Sequence, residues 1–172
     1  MNTYEFTFVL NHEITDEETE ALFEQFDGGA VPEGGGNGPH LIHVEEDGYT
    51  LAAAISAALA KVEALGIDVI GVESEDAVST KDIAERTGRT YESVRMLATG
   101  KRGPGGFPVS FGTEQWALYS WAEVSAWLAQ HYGSEQVIEY DRQIAAADHL
   151  LRARRILGDG QHRAEMAQLV TT

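Results

Sequence analysis

Between Ser79 and Arg102 the chain reads STKDIAERTGRTYESVRMLATGKR. This stretch gathers Arg89, Arg95, Lys101 and Arg102 with the hydroxyls of Thr80, Thr90, Tyr91 and Thr99 and the carboxylate of Glu92. Those groups suit a polyanion with readable edges. A guanidinium offers two parallel N–H donors that match O6 and N7 of guanine, and Arg95 is the best candidate for that contact. Tyr91 could touch a thymine methyl or a phosphate. Glu92 could accept from cytosine N4, or repel the backbone and sharpen register. Lys101, Arg102 and Arg89 are candidates for phosphate, where charge alone supplies affinity. Thr80 and Thr90 stand at helix starts and can offer hydroxyl or backbone N–H groups to phosphate. The bland alternative for Arg95 is a surface ion pair with Glu92, and for Lys101 and Arg102 a charged loop.

Such side chains need two short helices crossing steeply, with the second one presented outward. That geometry asks for a small residue where the helices approach, a residue tolerant of positive φ in the turn, and a branched apolar residue on the second helix. Ala84, Gly88 and Val94 meet these demands at the usual helix-turn-helix spacing, and Ile83 and Leu97 complete the shared core. Two residues depart from the pattern: Arg89 follows the turn glycine where an apolar residue is common, and Thr87 is more polar than usual. Ser79 or Thr80 is expected to cap the first helix and Thr90 the second. After a GKRGPGG loop, Phe107 to Phe111 and Gln115 to Tyr119 are expected to pair across Gly112-Thr113-Glu114. Ser120 with Glu123 forms a capping box and opens a helix bearing Trp121, Val124, Trp127 and Leu128. Trp116, Trp121 and Trp127 are expected to pack the hairpin and the core. A longer helix capped by Ser134 follows. Its Val137, Tyr140, Ile144, Ala147 and Leu151 fall at a/d spacing, a candidate dimerisation stripe. Arg152, Arg154 and Arg155 near its end suit the negative end of the helix dipole.

The string from the second helix through G-G-F-P, a hairpin and Tyr-Ser-Trp resembles the winged helix-turn-helix of MerR-like regulators and phage excisionases. That resemblance implies that the second helix enters the major groove and the wing follows the backbone or minor groove. The whole chain also resembles a group of actinobacterial-type proteins that place a small acidic α+β module before such a domain.

The net charge of −16 argues at first against nucleic acid, but its distribution changes the reading. Residues 1–76 hold 17 of the 28 acidic residues and only one of the 12 basic ones, Lys61, so they carry all of it. The rest of the chain is balanced. Such asymmetry marks two modules with different work. In the acidic part, Tyr4, Phe6, Phe8 and Leu10 alternate with Glu5, Thr7 and Val9 as a strand with one buried face does. Thr15 and Glu18 form a capping box before a helix with Leu22, Phe23 and Phe26 inward. Leu41 to Val44 is a strand. Thr50 caps a helix with Leu51, Ile55, Ala58, Leu59, Val62 and Leu65 on one face, and Ile67 to Val72 is a strand. With a weaker strand near Ala30 the order is βαββαβ, a ferredoxin-like plait.

Other chemistries find little support. There is no Cys, which excludes disulfides and thiolate metal sites and fits a reducing cytosol. His40 and His43 are spaced to face opposite sides of a strand. The Gly-rich run from Glu33 to Pro39 lacks the Lys-Ser/Thr of a phosphate loop. Glu17, Glu18, Glu20 and Glu24 form an acidic helix face. No catalytic constellation is visible, no signal peptide or membrane span is legible, and no cofactor is called for.

The sequence therefore predicts an α+β chain in three parts. These are an acidic ferredoxin-like module over 1–76, a winged helix-turn-helix over 77–132, and a C-terminal long helix with a polar tail over 133–172. The expected function is sequence-specific binding of double-stranded DNA by a cytoplasmic, homodimeric, non-enzymatic transcriptional regulator, a repressor before an activator. The alternative is a protein-binding adaptor, such as an antitoxin or anti-regulator, whose acidic module covers a basic protein partner.

Overall fold

The computed structural model describes residues 1–34, 38–113, 116–134, 139–158 and 162–171. It mixes helices with small antiparallel sheets and divides into two compact units. One comprises Met1–Glu73 with Ala146–Thr172, the other Ser74–Ala145. Among the described residues no helix is long and apolar enough to cross a membrane.

The first unit is built on four antiparallel strands in the order β2-β3-β1-β4: β1 (Asn2–Leu10), β2 (Ala30–Glu33), β3 (His40–Gly48) and β4 (Val69–Val72). Phe6, Phe8 and Leu10 alternate into the core, and β3 places Val44 and Ile42 opposite Phe6 and Phe8. Helix α2 (Leu51–Ala64) packs on β1, β3 and β4, burying Leu51, Ala54, Ile55, Ala58 and Val62. Thr50 caps it by accepting from the Ala53 N–H. Lys61 reaches from α2 to Glu46, with Nζ–O distances of 2.6 and 2.8 Å, and lies over the Phe26 ring. Helix α1 (Asp16–Gln25) starts at the Thr15–Glu18 capping box and buries Leu22. Phe23, expected inward, is instead 64% exposed. Its ring lies beside Gly28, which ends the helix region at a φ of 86°.

The second unit begins with β5 (Ala77–Ser79), which pairs with β6 (Leu118–Ser120). Between them lie α3 (Thr80–Thr87) and α4 (Tyr91–Ala98), and after them α5 (Trp121–Tyr132). Val78, Ile83, Ala84, Val94, Leu97, Tyr119, Val124, Trp127 and Leu128 form one core. Asp76 ties its ends together. Its carboxylate accepts from the Ala122 N–H at 2.8 Å and the Ser120 hydroxyl at 3.1 Å, and its carbonyl accepts from the Trp121 N–H at 2.7 Å. Ser120 itself caps α5 at Glu123.

Three expectations change here. Among the described residues the hairpin of 107–111 with 115–119 shrinks to one bridge, Phe111 with Leu118, and Leu118–Ser120 pairs with β5. Pro108 has no N–H to give a ladder. Phe107 turns inward onto Trp127 and Tyr119, with ring centroids 5.0 and 5.6 Å away. Residues 114 and 115 lie outside the described ones. Second, Trp127 is buried and Trp121 packs on the core, but Trp116 is 78% exposed.

Third, residues 133–172 divide between the units, those up to Ala145 with the second and Ala146–Thr172 with the first. Helix α6 (Glu139–Leu157) spans the division between the units, and α7 (Arg163–Thr171) follows. Ile144 and Leu151 of the heptad stripe are already buried within one chain, while Val137 lies outside the described residues. The C-terminal half of α6 closes the outer edge of β4, because Asp148 accepts from the Val72 N–H at 3.1 Å. Gly71 permits this approach; a Cβ there would run into the Asp148 carboxylate. Arg152 pairs with Asp148, and Arg154 with Glu63. So two of the three arginines assigned to the helix end hold specific carboxylates.

Candidate nucleic-acid interface

Helix α3 opens at a capping box between Ser79 and Asp82. It ends at Gly88, whose φ of 64° lies in the left-handed region that glycine enters without strain. Thr90 then caps α4 by accepting from the Ser93 N–H. Val94 and Leu97 point inward to Ile83 and Ala84, which fixes the opposite face of α4 outward. Both departures from the usual pattern have local causes. The Thr87 hydroxyl donates back to the Ile83 carbonyl at 2.6 Å. Arg89 is half-buried, with its guanidinium over the Tyr132 ring at 4.5 Å, so a cation on an aromatic face replaces the apolar contact.

The outward face carries Thr90, Tyr91, Glu92, Arg95 and Thr99, all exposed, and continues into exposed Lys101 and Arg102. Thr80 is half-buried. The main chain anchors the two loop cations. The N–H groups of both Lys101 and Arg102 donate to the Met96 carbonyl, at 3.0 and 3.1 Å. Gly103 then passes so close to Leu97 and the Tyr132 hydroxyl that a Cβ there would collide.

The cations divide by what holds them. Arg86 pairs with Glu75 and covers Trp121; Lys81 pairs with Glu85 on α3. Arg95 meets Glu92 through two bonds, Nε to Oε2 at 2.9 Å and Nη2 to Oε1 at 2.7 Å. The hydrogen bonds from Arg95 hold the Glu92 carboxyl below its usual range, and those to Glu92 raise Arg95. The Thr99 hydroxyl donates to the Arg95 carbonyl at 2.8 Å, closing the end of α4. No ion pair of Lys101 or Arg102 is found among the described residues. The face thus offers one oriented guanidinium and two cations with anchored backbones.

A second polar arrangement went unseen in the sequence. On the sheet face away from α2, the Thr7 hydroxyl lies 2.9 Å from His43 Nδ1, and His43 Nε2 meets Glu33. Only the cross-strand register, which sets Thr7 opposite His43 and His43 opposite Val31, brings them together. Near them Glu5 stands opposite Glu45, and Thr3 donates to Asp47 at 2.7 Å. No group of three His, Cys, Asp or Glu among the described residues could hold a metal ion.

No protein-family model, curated protein or solved structure matches the chain.

Proposed function

We propose that Ser74–Ala145 is a winged helix-turn-helix that binds double-stranded DNA, with α4 as the recognition helix in the major groove. The observation that carries this reading is the exposed face of α4. Arg95, Tyr91 and Glu92 stand outward from a packed inner face, and exposed Lys101 and Arg102, without an ion pair among the described residues, continue the line at its end. Arg95 addresses guanine; Lys101, Arg102 and Arg89 address phosphate. The bridge at Phe111–Leu118, with exposed Gly112, Thr113 and Trp116 between its ends, serves as the wing. The first unit, with its βαββαβ order and β2-β3-β1-β4 sheet, is read as a ferredoxin-like plait.

An eight-residue helix reads few bases, so useful specificity calls for two half-sites and a homodimer. The chain then acts as a cytoplasmic transcriptional regulator, repressing by occupying its operator. The test is selection of random duplex DNA on the full-length protein at near-physiological salt. Enrichment of a repeated motif spaced by whole helical turns is expected. Absence of any enriched motif from well-folded protein overturns the reading.

A second reading, capture of a basic protein by an adaptor, is favoured by the carboxylates of Glu5, Glu33, Glu45 and Asp47 along the open sheet face. Changing Glu45 and Asp47 to Lys is expected to abolish such capture and leave duplex binding intact.

A further inference from the structure

We infer that Glu92 is a positioning residue for Arg95: it grips the guanidinium along the Nε–Nη2 edge and leaves the Nη1–Nη2 fork free for O6 and N7 of one guanine. This rests on the reading of α4 as the DNA-facing helix. A guanidinium carries five N–H donors, one on Nε and two on each η nitrogen. Glu92 takes the Nε donor and one from Nη2. The remaining donors include one from each η nitrogen, side by side at the tip, which is the pair that a guanine edge accepts.

The grip matters because Arg95 is otherwise free. Its side chain is 45% exposed, and no other side chain bonds to it among the described residues. A long side chain ordered before encounter loses less rotamer freedom on docking. The same geometry argues against direct base reading by Glu92, since both of its oxygens already face Arg95. It also cancels charge locally. The pair therefore adds discrimination between bases and little general attraction to phosphate, which is left to Lys101 and Arg102.

These roles give readouts of opposite sign. The experiment compares full-length wild type, Glu92→Ala, Glu92→Gln and Arg95→Ala by duplex selection, then by titration of the selected duplex and a scrambled one. Far-ultraviolet circular dichroism checks the fold of each. Glu92→Ala is expected to lower the preference for guanine at the Arg95 position about tenfold. Its binding to scrambled duplex at low salt rises, because a carboxylate has gone. Glu92→Gln keeps one acceptor oxygen and recovers part of the preference. An unchanged guanine preference in Glu92→Ala overturns this inference alone. So does loss of a cytosine preference at a separate position, which would make Glu92 a base reader. A wild type that enriches no motif overturns the DNA reading and this inference with it.

Discussion

The two units carry charge unequally. The first, Met1–Glu73 with Ala146–Thr172, holds 18 acidic and 5 basic residues, whereas Ser74–Ala145 holds 10 and 7. Five acids lie on the strands, Glu5, Glu33, Glu45, Glu46 and Asp47, and Glu5 directly faces Glu45 across the sheet. Like charges so placed cost stability, and the sheet tolerates them because α2 and the Phe6–Phe8 core hold the other face. In the first unit Glu46, Glu63 and Asp148 meet Lys61, Arg154 and Arg152. In Ser74–Ala145, with fewer acids to match, Glu85 pairs with Lys81, Glu92 with Arg95 and Glu75 with Arg86. Among the described residues of this unit the cations without an ion pair are Arg89, which lies over the Tyr132 ring, and Lys101 and Arg102 beyond the end of α4. The lesson is that net charge describes neither surface. A chain at −16 holds a strongly acidic unit, whose field repels phosphate, and a second unit in which α4 leads into exposed Lys101 and Arg102.

The comparison breaks most directly at the cores. Leu97 is almost fully buried, and Leu97→Ala is expected to cost about 2–5 kcal/mol. Trp116, Trp121 and Trp127 all belong to Ser74–Ala145, so tryptophan fluorescence reports that unit alone. Ile42→Ala, a similar loss in the acidic unit, is expected to move the transition seen by circular dichroism and leave the fluorescence transition in place. Equal movement of both signals would mean one cooperative structure, and the contrast between units would lose its energetic meaning.

Next in size are the effects on DNA. Arg95→Ala is expected to cost about 1–3 kcal/mol on the selected duplex and relax specificity at one position. Lys101→Ala weakens all sequences about equally and lowers the salt slope by about one. If Arg95→Ala weakened selected and scrambled duplex by the same factor, Arg95 would belong with Lys101, and the division of labour along α4 would be wrong.

These predictions rest on the part of the fold that was legible. Short-range rules placed α3, the turn at Gly88 and α4 correctly, because capping by Ser79 and Thr90 and burial of Ala84, Val94 and Leu97 are decided within twenty residues. What the sequence hid was long-range. Asp148 capping the edge of β4 depends on residues 76 positions apart. The Thr7–His43 contact depends on strand register, and the pairing of β5 with β6 on a connection through two helices. The heptad pattern of α6 was real, but Ile144 and Leu151 serve the chain's own packing, which periodicity alone does not distinguish from a dimer seam.

Asp76 tests one of these hidden contacts. It lies some 44 residues before the Ser120 hydroxyl it binds, and it caps the start of α5. Asp76→Ala is expected to cost about 1–2 kcal/mol, read in the fluorescence transition. Asp76→Asn keeps one acceptor and is expected to recover part of that loss. A fluorescence transition unmoved by Asp76→Ala would show that Ser120 alone suffices to cap the helix.

The smallest effect separates the units by acid. Asp82 in the second unit is held below the ordinary aspartate range by the Ser79 side chain and then the Ser79 N–H, the latter at 2.8 Å. Glu18 in the first is held below the glutamate range by the Thr15 N–H, at 2.9 Å, with help from His12. A folded-state value depressed below the unfolded one stabilises at pH above the unfolded value. That contribution disappears as pH falls through the folded value. Both carboxylates are well solvated, so each contribution is modest. At neutral pH, Asp82→Asn is expected to lower the fluorescence midpoint. The variant and wild-type curves begin to converge as pH falls below the ordinary aspartate range and meet once it has fallen through the depressed folded value, where wild-type Asp82 is protonated. Glu18→Gln is expected to leave the fluorescence curve alone and show the same convergence by circular dichroism. A gap between wild type and Asp82→Asn that stayed constant from pH 7 to pH 3 would mean that the carboxylate's charge adds nothing to the cap, and that the start of α3 rests on Ser79 alone.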